Sequence, residues 1–199
     1  MSTQATDNLL LNGKKYSITN STGIIFNTFE HGFTHFGFNS ACLRGFKCDF
    51  NFVDNKLNLE TLFVSADDYD EIPAEFHGSV MERKTIDELF SDPEFFKNLM
   101  MFPYKNINIP INFSGKMILG YDFDHKVLNY SGFPQAYGYK ELLEATFEEG
   151  FLKDIKDIST ATEEINNSLP EDYVPFIIAF EPAPISKDLI KKYWWLKEE

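Results

Sequence analysis

The sequence predicts a single α+β domain over residues 1–199, mainly antiparallel β-sheet with a few short helices, one of them at the C-terminus. Short segments in which apolar and polar residues alternate are typical of half-buried strands. Asn-Gly and Asp-Asn pairs between such segments predict tight hairpin turns. Helix-capping residues occur around residues 85–94 and at residue 186. A sandwich and a curved sheet with helices at one end both fit this pattern, and disorder is expected only within about the first eight residues.

The first element predicted is a hairpin. Leu9–Leu11 and Lys14–Ile18 flank Asn12-Gly13, and this pair accepts the positive φ angles that a type I′ turn requires. The following stretch, Gly23–Phe38, is rich in phenylalanine and glycine and predicts less regular structure.

The most strongly patterned stretch is Ala41–Val53, which predicts a strand that turns at Asp54–Lys56 and returns through Leu57–Val64. Side chains of a strand alternate between its two faces, so one row is expected to point inwards. That row consists of Cys42, Arg44, Phe46, Cys48, Phe50 and Phe52. Arg44, one of two arginines beside sixteen lysines, is therefore expected to lead the apolar face.

One or two short helices are predicted over residues 85–101. Capping-box spacing occurs there twice, at Thr85 and Glu88 and again at Ser91 and Glu94. The buried stripe of these helices is expected to consist of Phe95, Phe96, Leu99 and Met100. Strands are then predicted over residues 106–113 and 116–123, and the second turns into Val127–Tyr130.

The last third of the chain leaves one choice open. Tyr139–Phe151 fits a helix that ends at Gly150, or a hairpin that turns at Glu149-Gly150. A helix over residues 160–167 and a buried strand over Tyr173–Phe180 follow. Ser186 is the expected N-cap of the final helix.

The composition excludes several classes of protein. Eighteen lysines and arginines against 31 aspartates and glutamates give a net charge of −13, which disfavours nucleic acid and acidic membrane surfaces as partners. The same charge suits a soluble protein or one that meets a basic partner. On one strand Cys42 and Cys48 would stand about 20 Å apart, too far for a disulfide. Free thiols and the lack of a signal-peptide pattern predict a cytoplasmic protein.

The run Ser40–Phe46, with the strand to Phe52 and the leucine-rich return strand Leu57–Leu59, resembles a family of uncharacterised bacterial proteins. That family, a domain of unknown function, carries an Ala-x-x-Arg-Gly-aromatic motif, although this chain has Leu43 where a tryptophan is common. The resemblance implies a β-rich bacterial cytoplasmic protein and favours the hairpin at Glu149-Gly150. It implies no catalytic residue.

Arg44 is the first candidate site residue. A guanidinium beside Gly45, with Phe46 and Tyr130 as walls, could bind a small anionic ligand, in a ligand-binding protein or in an unrecognised enzyme. In the alternative interpretation Arg44 ties strand ends together through a carboxylate or carbonyl groups, because an arginine on an apolar face must be paired. The second interpretation is the stronger on these grounds.

Two further features point to a protein partner. Asp67, Asp68 and Asp70 form an acidic loop that a basic protein could contact. Adjacent tryptophans on a helix point about 100° apart, so both are buried only if the helix is covered on more than one side. Otherwise one of them, Trp195 in this interpretation, is exposed at a partner surface. Docking of the C-terminal helix on its own sheet is the stronger alternative. The leading hypothesis is therefore a non-enzymatic binding protein, for example an immunity protein that neutralises a basic toxin.

Metal and catalytic patterns are weak. His31 and His35 have helical i, i+4 spacing, but the glycine and phenylalanines around them favour extended or looped chain, so no metal or cofactor is predicted. Both cysteines fall on the apolar face, where burial suppresses the thiolate. The sequence contains no nucleophile-elbow, phosphate-loop or Cys-x-x-Cys motif, and it favours a protein that is not an enzyme.

Overall fold

The fold was analysed in a computed structural model, which describes residues 4–33, 40–65, 72–81, 86–97, 100–124, 134–170 and 184–197. The strands are β1 (Asp7–Leu11), β2 (Lys14–Ser21), β3 (Phe46–Val53), β4 (Lys56–Val64), β5 (Glu75–Phe76), β6 (Ser79–Val80), β7 (Phe102–Tyr104), β8 (Ile109–Pro110), β9 (Gly115–Phe123), β10 (Tyr139–Glu148) and β11 (Phe151–Asp157). The α-helices are α1 (Ile86–Ser91), α2 (Pro93–Lys97), α3 (Ser159–Ser168) and α4 (Lys187–Lys192). Short 3₁₀ helices span Thr28–His31, Ala136–Gly138 and Trp194–Leu196. The predicted α+β class, with its C-terminal helix, is confirmed.

The main sheet is curved and its end strands meet. Its order is β11-β10-β9-β2-β1-β3-β4, and β4 pairs again with β11 where Lys56 lies opposite Phe151. The Leu57 amide donates to the Gly150 carbonyl at 2.9 Å beside that pair. Strands β7 and β8 cover the rest of the same edge of β4. Every pairing is antiparallel except β1 with β3.

Three hairpin turns of the main sheet use positive φ angles at both central residues, as a type I′ turn requires. Asn12 and Gly13 join β1 to β2 at φ 51° and 78°, and Asp54 and Asn55 join β3 to β4 at φ 50° and 62°. The third turn is Glu149-Gly150, at φ 52° and 83°, so the hairpin interpretation of residues 139–151 is confirmed over the helical one.

The core has two parts, because β9 and β10 are buried on both faces. Met117 and Leu119 point to the inside of the closed sheet, where they pack with the main cluster of buried side chains. Ile118, between them, points to the opposite face, where it packs with Leu142 of β10 and Ile165 of α3. Helix α3 and the C-terminal segment thus cover the outside of these two strands.

The predicted strand over Ala41–Val53 begins later than the sequence indicated. Strand β3 starts at Phe46, and the residues before it form turns that place Arg44 ahead of the alternation. The physical reason is Gly45, which has φ 76° and donates its amide to the Cys42 carbonyl at 2.8 Å. Cys42 consequently packs in a separate small cluster, while Cys48 lies in the main core, and both are buried free thiols.

The helices α1 and α2 are present, but the cap of α2 and the buried face differ from the prediction. Thr85, the predicted cap of α1, and Leu99 lie outside the described residues. Helix α2 is capped by Asp92, whose Oδ1 accepts from the Glu94 amide at 2.9 Å, and not by Ser91. Phe95 packs against the core, whereas Phe96 and Met100 are 47% and 49% exposed. These helices have five and six residues, too few turns to bury the whole predicted stripe.

The strand predicted over residues 106–113 is reduced to the two residues of β8. Asn106 and Asn108 have φ angles of 56° and 53°, which extended backbone cannot include. At the C-terminus the Ser186 hydroxyl accepts from the Leu189 amide at 3.4 Å, so the predicted N-cap is confirmed. The predicted elements over residues 127–130 and 173–180, and the acidic loop after Ser65, lie outside the described residues.

Candidate functional site

Arg44 lies at the junction of β1 and β3, where it forms an ion pair with Asp7, the first residue of β1. Its Nη1 donates to Asp7 Oδ2 at 3.0 Å and its Nη2 donates to Asp7 Oδ1. Its Nε donates to the Phe46 carbonyl at 2.7 Å. Asp7 Oδ1 also accepts from the Cys48 amide at 2.6 Å, so this cluster fastens the parallel pair β1–β3.

The ion pair is largely removed from water, with 29% of the Arg44 side chain and 14% of the Asp7 side chain exposed. Burial alone would lower the pKa of Arg44, but the Asp7 carboxylate outweighs burial and raises it. The guanidinium also lies over the Phe46 ring, 4.8 Å from its centroid. A bidentate, charge-assisted pair of this kind is among the strongest polar contacts in a protein.

These contacts agree with the structural interpretation of Arg44. Gly45 is buried, and its carbonyl accepts from both the amide and the hydroxyl of Ser65, at 2.8 and 2.9 Å. A glycine at this position therefore allows the turn, and because Gly45 is buried it does not open a path for a ligand. Tyr130, the fourth residue of the predicted anion site, lies outside the described residues.

A large open cleft begins beside this ion pair. It has a volume of about 1700 Å³ and runs from Arg44 and Phe46 along the end of β2 to the C-terminal segment. Its walls are residues 19–29 on one side and residues 184–197 on the other. We call it the β2 cleft. Residues far apart in sequence build it, since the Asn20 side chain donates to the Trp195 carbonyl at 3.2 Å.

One wall of the β2 cleft carries two exposed apolar side chains, Ile24 and Phe29, which are 79% and 65% exposed. Phe29 belongs to the 3₁₀ helix Thr28–His31, whose start is fixed by Asn27, because Asn27 Oδ1 accepts from the Phe29 amide at 3.2 Å. Thr28 is buried at 1% exposure. The short helix therefore anchors itself through one residue and presents the next one to solvent.

The opposite wall is held by Glu144 of β10. Its carboxylate accepts from the Trp194 indole at 2.7 Å and from Lys116 Nζ at 2.9 Å. Burial would raise the pKa of Glu144, but these two hydrogen bonds outweigh burial and lower it. Trp195, expected to be exposed, is 5% exposed and packs in the second core cluster. The C-terminal segment is thus covered on more than one side, so Trp195 is buried and is not available at a partner surface.

The β2 cleft differs in charge from the chain as a whole. Its charged lining residues are Asp7, Arg44, Lys187 and Lys197. Asp7 and Arg44 neutralise one another, so two lysines set its charge in a protein of net charge −13. Both lysines are exposed, and neither forms a salt bridge within the part of the chain that the structure describes.

Of the predicted site residues, the structure brings Arg44, Phe46 and Trp195 to the same cleft. Asp67, Asp68 and Asp70 lie outside the described residues. Ile24, Phe29 and the two lysines were missed by sequence reasoning. An isoleucine and a phenylalanine in an aromatic-rich stretch resemble core residues, and only their exposure in the structure shows that they face outwards.

The described thiols are poor nucleophiles. Burial raises the pKa of Cys42, although Arg44 acts in the opposite direction, and burial raises the pKa of Cys48 well above its usual range. Within the described ranges, no three or more His, Cys, Asp or Glu side chains group to hold a metal ion. Among these same residues, no helix combines the length and the apolar character needed to cross a membrane.

Comparisons of the chain with protein-family models, with curated proteins and with solved structures found no match. The resemblance carried by Ala41, Arg44 and Gly45 therefore stays a prediction, and the function must be argued from the site itself.

Proposed function

We propose that the chain is a non-enzymatic binding protein and that its β2 cleft holds an extended segment of a partner protein. The observation that carries the proposal is the cleft itself, an open groove of about 1700 Å³ with apolar side chains on its rim. Small-molecule sites usually enclose about 300 to 1,000 Å³ and bury most of their ligand. A groove that is larger and open fits a polypeptide better than a metabolite.

The exposed apolar residues support a macromolecular occupant. Ile24 and Phe29 place two large side chains in water on one wall, which costs free energy unless something covers them. Aromatic side chains at the centre of an interface commonly supply much of its binding energy. The backbone of Phe29 is held by a capped 3₁₀ turn, so little backbone entropy is lost there when a partner covers the ring.

The charge of the cleft indicates the chemistry of the segment. Lys187 and Lys197 face the groove, while the carboxylate of Asp7 is already neutralised by Arg44. A segment with one or two carboxylates beside apolar residues would pair with the lysines and cover Ile24 and Phe29. A strongly basic segment would be repelled there.

Selection from a library of random twelve-residue peptides on the immobilised protein tests this proposal. We expect enriched peptides to combine Asp or Glu with apolar residues, and their affinity to fall about tenfold or more for the Lys187→Glu, Lys197→Glu variant. The matched control is Lys153→Glu, Lys156→Glu, which makes the same charge change on β11. Enrichment of basic peptides, or equal loss in both variants, would refute the cleft as the binding site.

The net charge of −13 favours a second candidate, an immunity-type protein that binds a basic toxin through its acidic surface. Replacement of Asp67, Asp68 and Asp70 by lysine should then abolish capture of a basic protein while leaving peptide binding at the cleft unchanged. Retention of a basic partner by that variant would remove this candidate, whatever the outcome at the cleft.

A further inference from the structure

Two histidines that are distant in sequence meet on the surface. His31 ends the 3₁₀ helix Thr28–His31, and His77 lies in the turn between β5 and β6. His31 Nδ1 and His77 Nε2 are 3.3 Å apart, and the ring centroids are 5.4 Å apart. His35, which has helical i, i+4 spacing from His31 in the sequence, lies outside the described residues.

Both rings are positioned by packing. The His31 ring stacks on Phe26, with centroids 4.7 Å apart and planes inclined by 25°. The Phe76 ring meets both imidazoles edge to face, 6.0 Å from His31 and 4.6 Å from His77. His77 and Gly78 have φ angles of 47° and 77°, so a tight turn fixes the backbone under the second imidazole. Preorganised imidazoles lose little freedom when they bind a ligand.

The separation of the two nitrogens matches a shared metal ion. Zinc binds histidine nitrogen at about 2.0 to 2.1 Å, so two nitrogens at tetrahedral positions lie about 3.3 Å apart. Burial and the neighbouring His77 lower the pKa of His31, which favours the neutral form of the ring that binds metal ions. Glu30, which has the opposite effect on that pKa, adds a negative charge nearby.

We propose that His31 Nδ1 and His77 Nε2 together bind one divalent metal ion of the zinc class, with the remaining coordination positions open. Imidazole is a ligand that suits Zn²⁺, Cu²⁺ and Ni²⁺ and not Mg²⁺ or Ca²⁺. The ion would clamp the 3₁₀ helix that carries Phe29 onto the β5–β6 hairpin. Because the open positions face solvent, the ion could also accept a ligand from another molecule.

Titration calorimetry with Zn²⁺ at pH 7.5, on full-length protein freed of metal by a chelator, tests the site. We expect one ion per chain and an affinity reduced about tenfold or more by His31→Gln and by His77→Asn. Asparagine tolerates the positive φ of position 77, so the turn is kept while the ligand is lost.

A direct hydrogen bond between two imidazoles would give the same distance without any metal. The proposal is overturned if the protein takes up no Zn²⁺, or if the affinity is unchanged by His31→Gln or by His77→Asn. With Cu²⁺ as the probe, pulsed electron paramagnetic resonance counts the bound imidazoles. Two are expected for the native chain and one for each single variant, and an unchanged count in either variant would also overturn the site.

Discussion

Two junctions of the closed sheet, β1 with β3 and β4 with β11, are held together in different ways. At the β1–β3 junction the chain uses side chains, because the Asp7–Arg44 pair spans two parallel strands and bonds to the backbone of both Phe46 and Cys48. At the β4–β11 junction it relies mainly on backbone, with one residue pair and the turn at Gly150, and the Lys56 ammonium lies 5.6 Å from the centroid of the Phe151 ring. The comparison shows that an ion pair can hold two strands of this fold together, whereas the β4–β11 junction requires a glycine at position 150. We call the two junctions the charged seam and the backbone seam.

The largest expected effect is at the backbone seam. A Cβ at position 150 would lie 2.1 Å from the Ile111 carbonyl oxygen, and Gly150 has φ 83°. We expect Gly150→Ala to lower the free energy of unfolding by about 3 kcal/mol, measured by urea denaturation. Gly13→Ala is the control, since its φ is 78° and nothing lies within 4 Å, so it should cost only about 1 kcal/mol of strain. Equal losses would show that the contact with Ile111 does not matter.

Disruption of the charged seam should lower the free energy of unfolding by less, because its ion pair is partly exposed. Arg44→Met leaves the Asp7 carboxylate without its guanidinium partner and is expected to cost about 2 kcal/mol, less than a fully buried pair would. Adding Asp7→Asn should recover part of that loss, because the unpaired charge is removed. Urea unfolding of both variants measures this, and a double variant no more stable than Arg44→Met alone would contradict it.

The far wall of the β2 cleft should weaken in acid. The pKa of Glu144 lies below its usual value of 4.5, because the hydrogen bonds from Lys116 and Trp194 outweigh burial. The carboxylate therefore contributes stability above pH 4.5 that is lost as the pH falls through its lowered pKa. We expect Glu144→Gln to cost about 1 kcal/mol at pH 7 and progressively less below pH 4.5. A difference that does not change with pH would contradict the assignment.

The smallest effect on stability is expected at Phe29. Its substitution tests whether this residue contributes to peptide binding without contributing to the stability of the fold. Phe29→Ser removes a ring that is 65% exposed, so the free energy of unfolding should fall by about 0.5 kcal/mol or less. The melting temperature should therefore change little. Peptide binding at the β2 cleft should nevertheless fall. Thermal denaturation and fluorescence polarisation measure the two, and a large loss of stability would show that Phe29 belongs to the core.

Local chemistry made some elements predictable and left others open. The turn at Asn12-Gly13 follows from the φ preferences of the two residues alone. The start of β3 does not, because the turn closed by Gly45 displaces Arg44 from the alternation. Residues 139–151 favoured a helix by propensity, but pairing with β9 along the whole of β10 decides for a strand.

The candidate sites were least accessible from sequence, since they join distant residues. The β2 cleft needs Asn20 and Trp195 side by side, and no local pattern connects them. His31 lies 46 residues from His77, and spacing rules cannot detect such a pair. Arg44 was identified by its residue type, yet its partner Asp7 carries no signal that distinguishes it from the many other acidic residues.

The seam between Lys56 and Phe151 also bears on how the protein is made. A ribosome adds about 5 to 20 residues per second, so β4 leaves the exit tunnel roughly 5 to 20 s before its last neighbour does. During that delay β7 and β8 emerge and can pair with the waiting edge, which limits its exposure to other nascent chains. The short strands along β4 can thus cover most of its free edge before the final strand of the sheet has been translated.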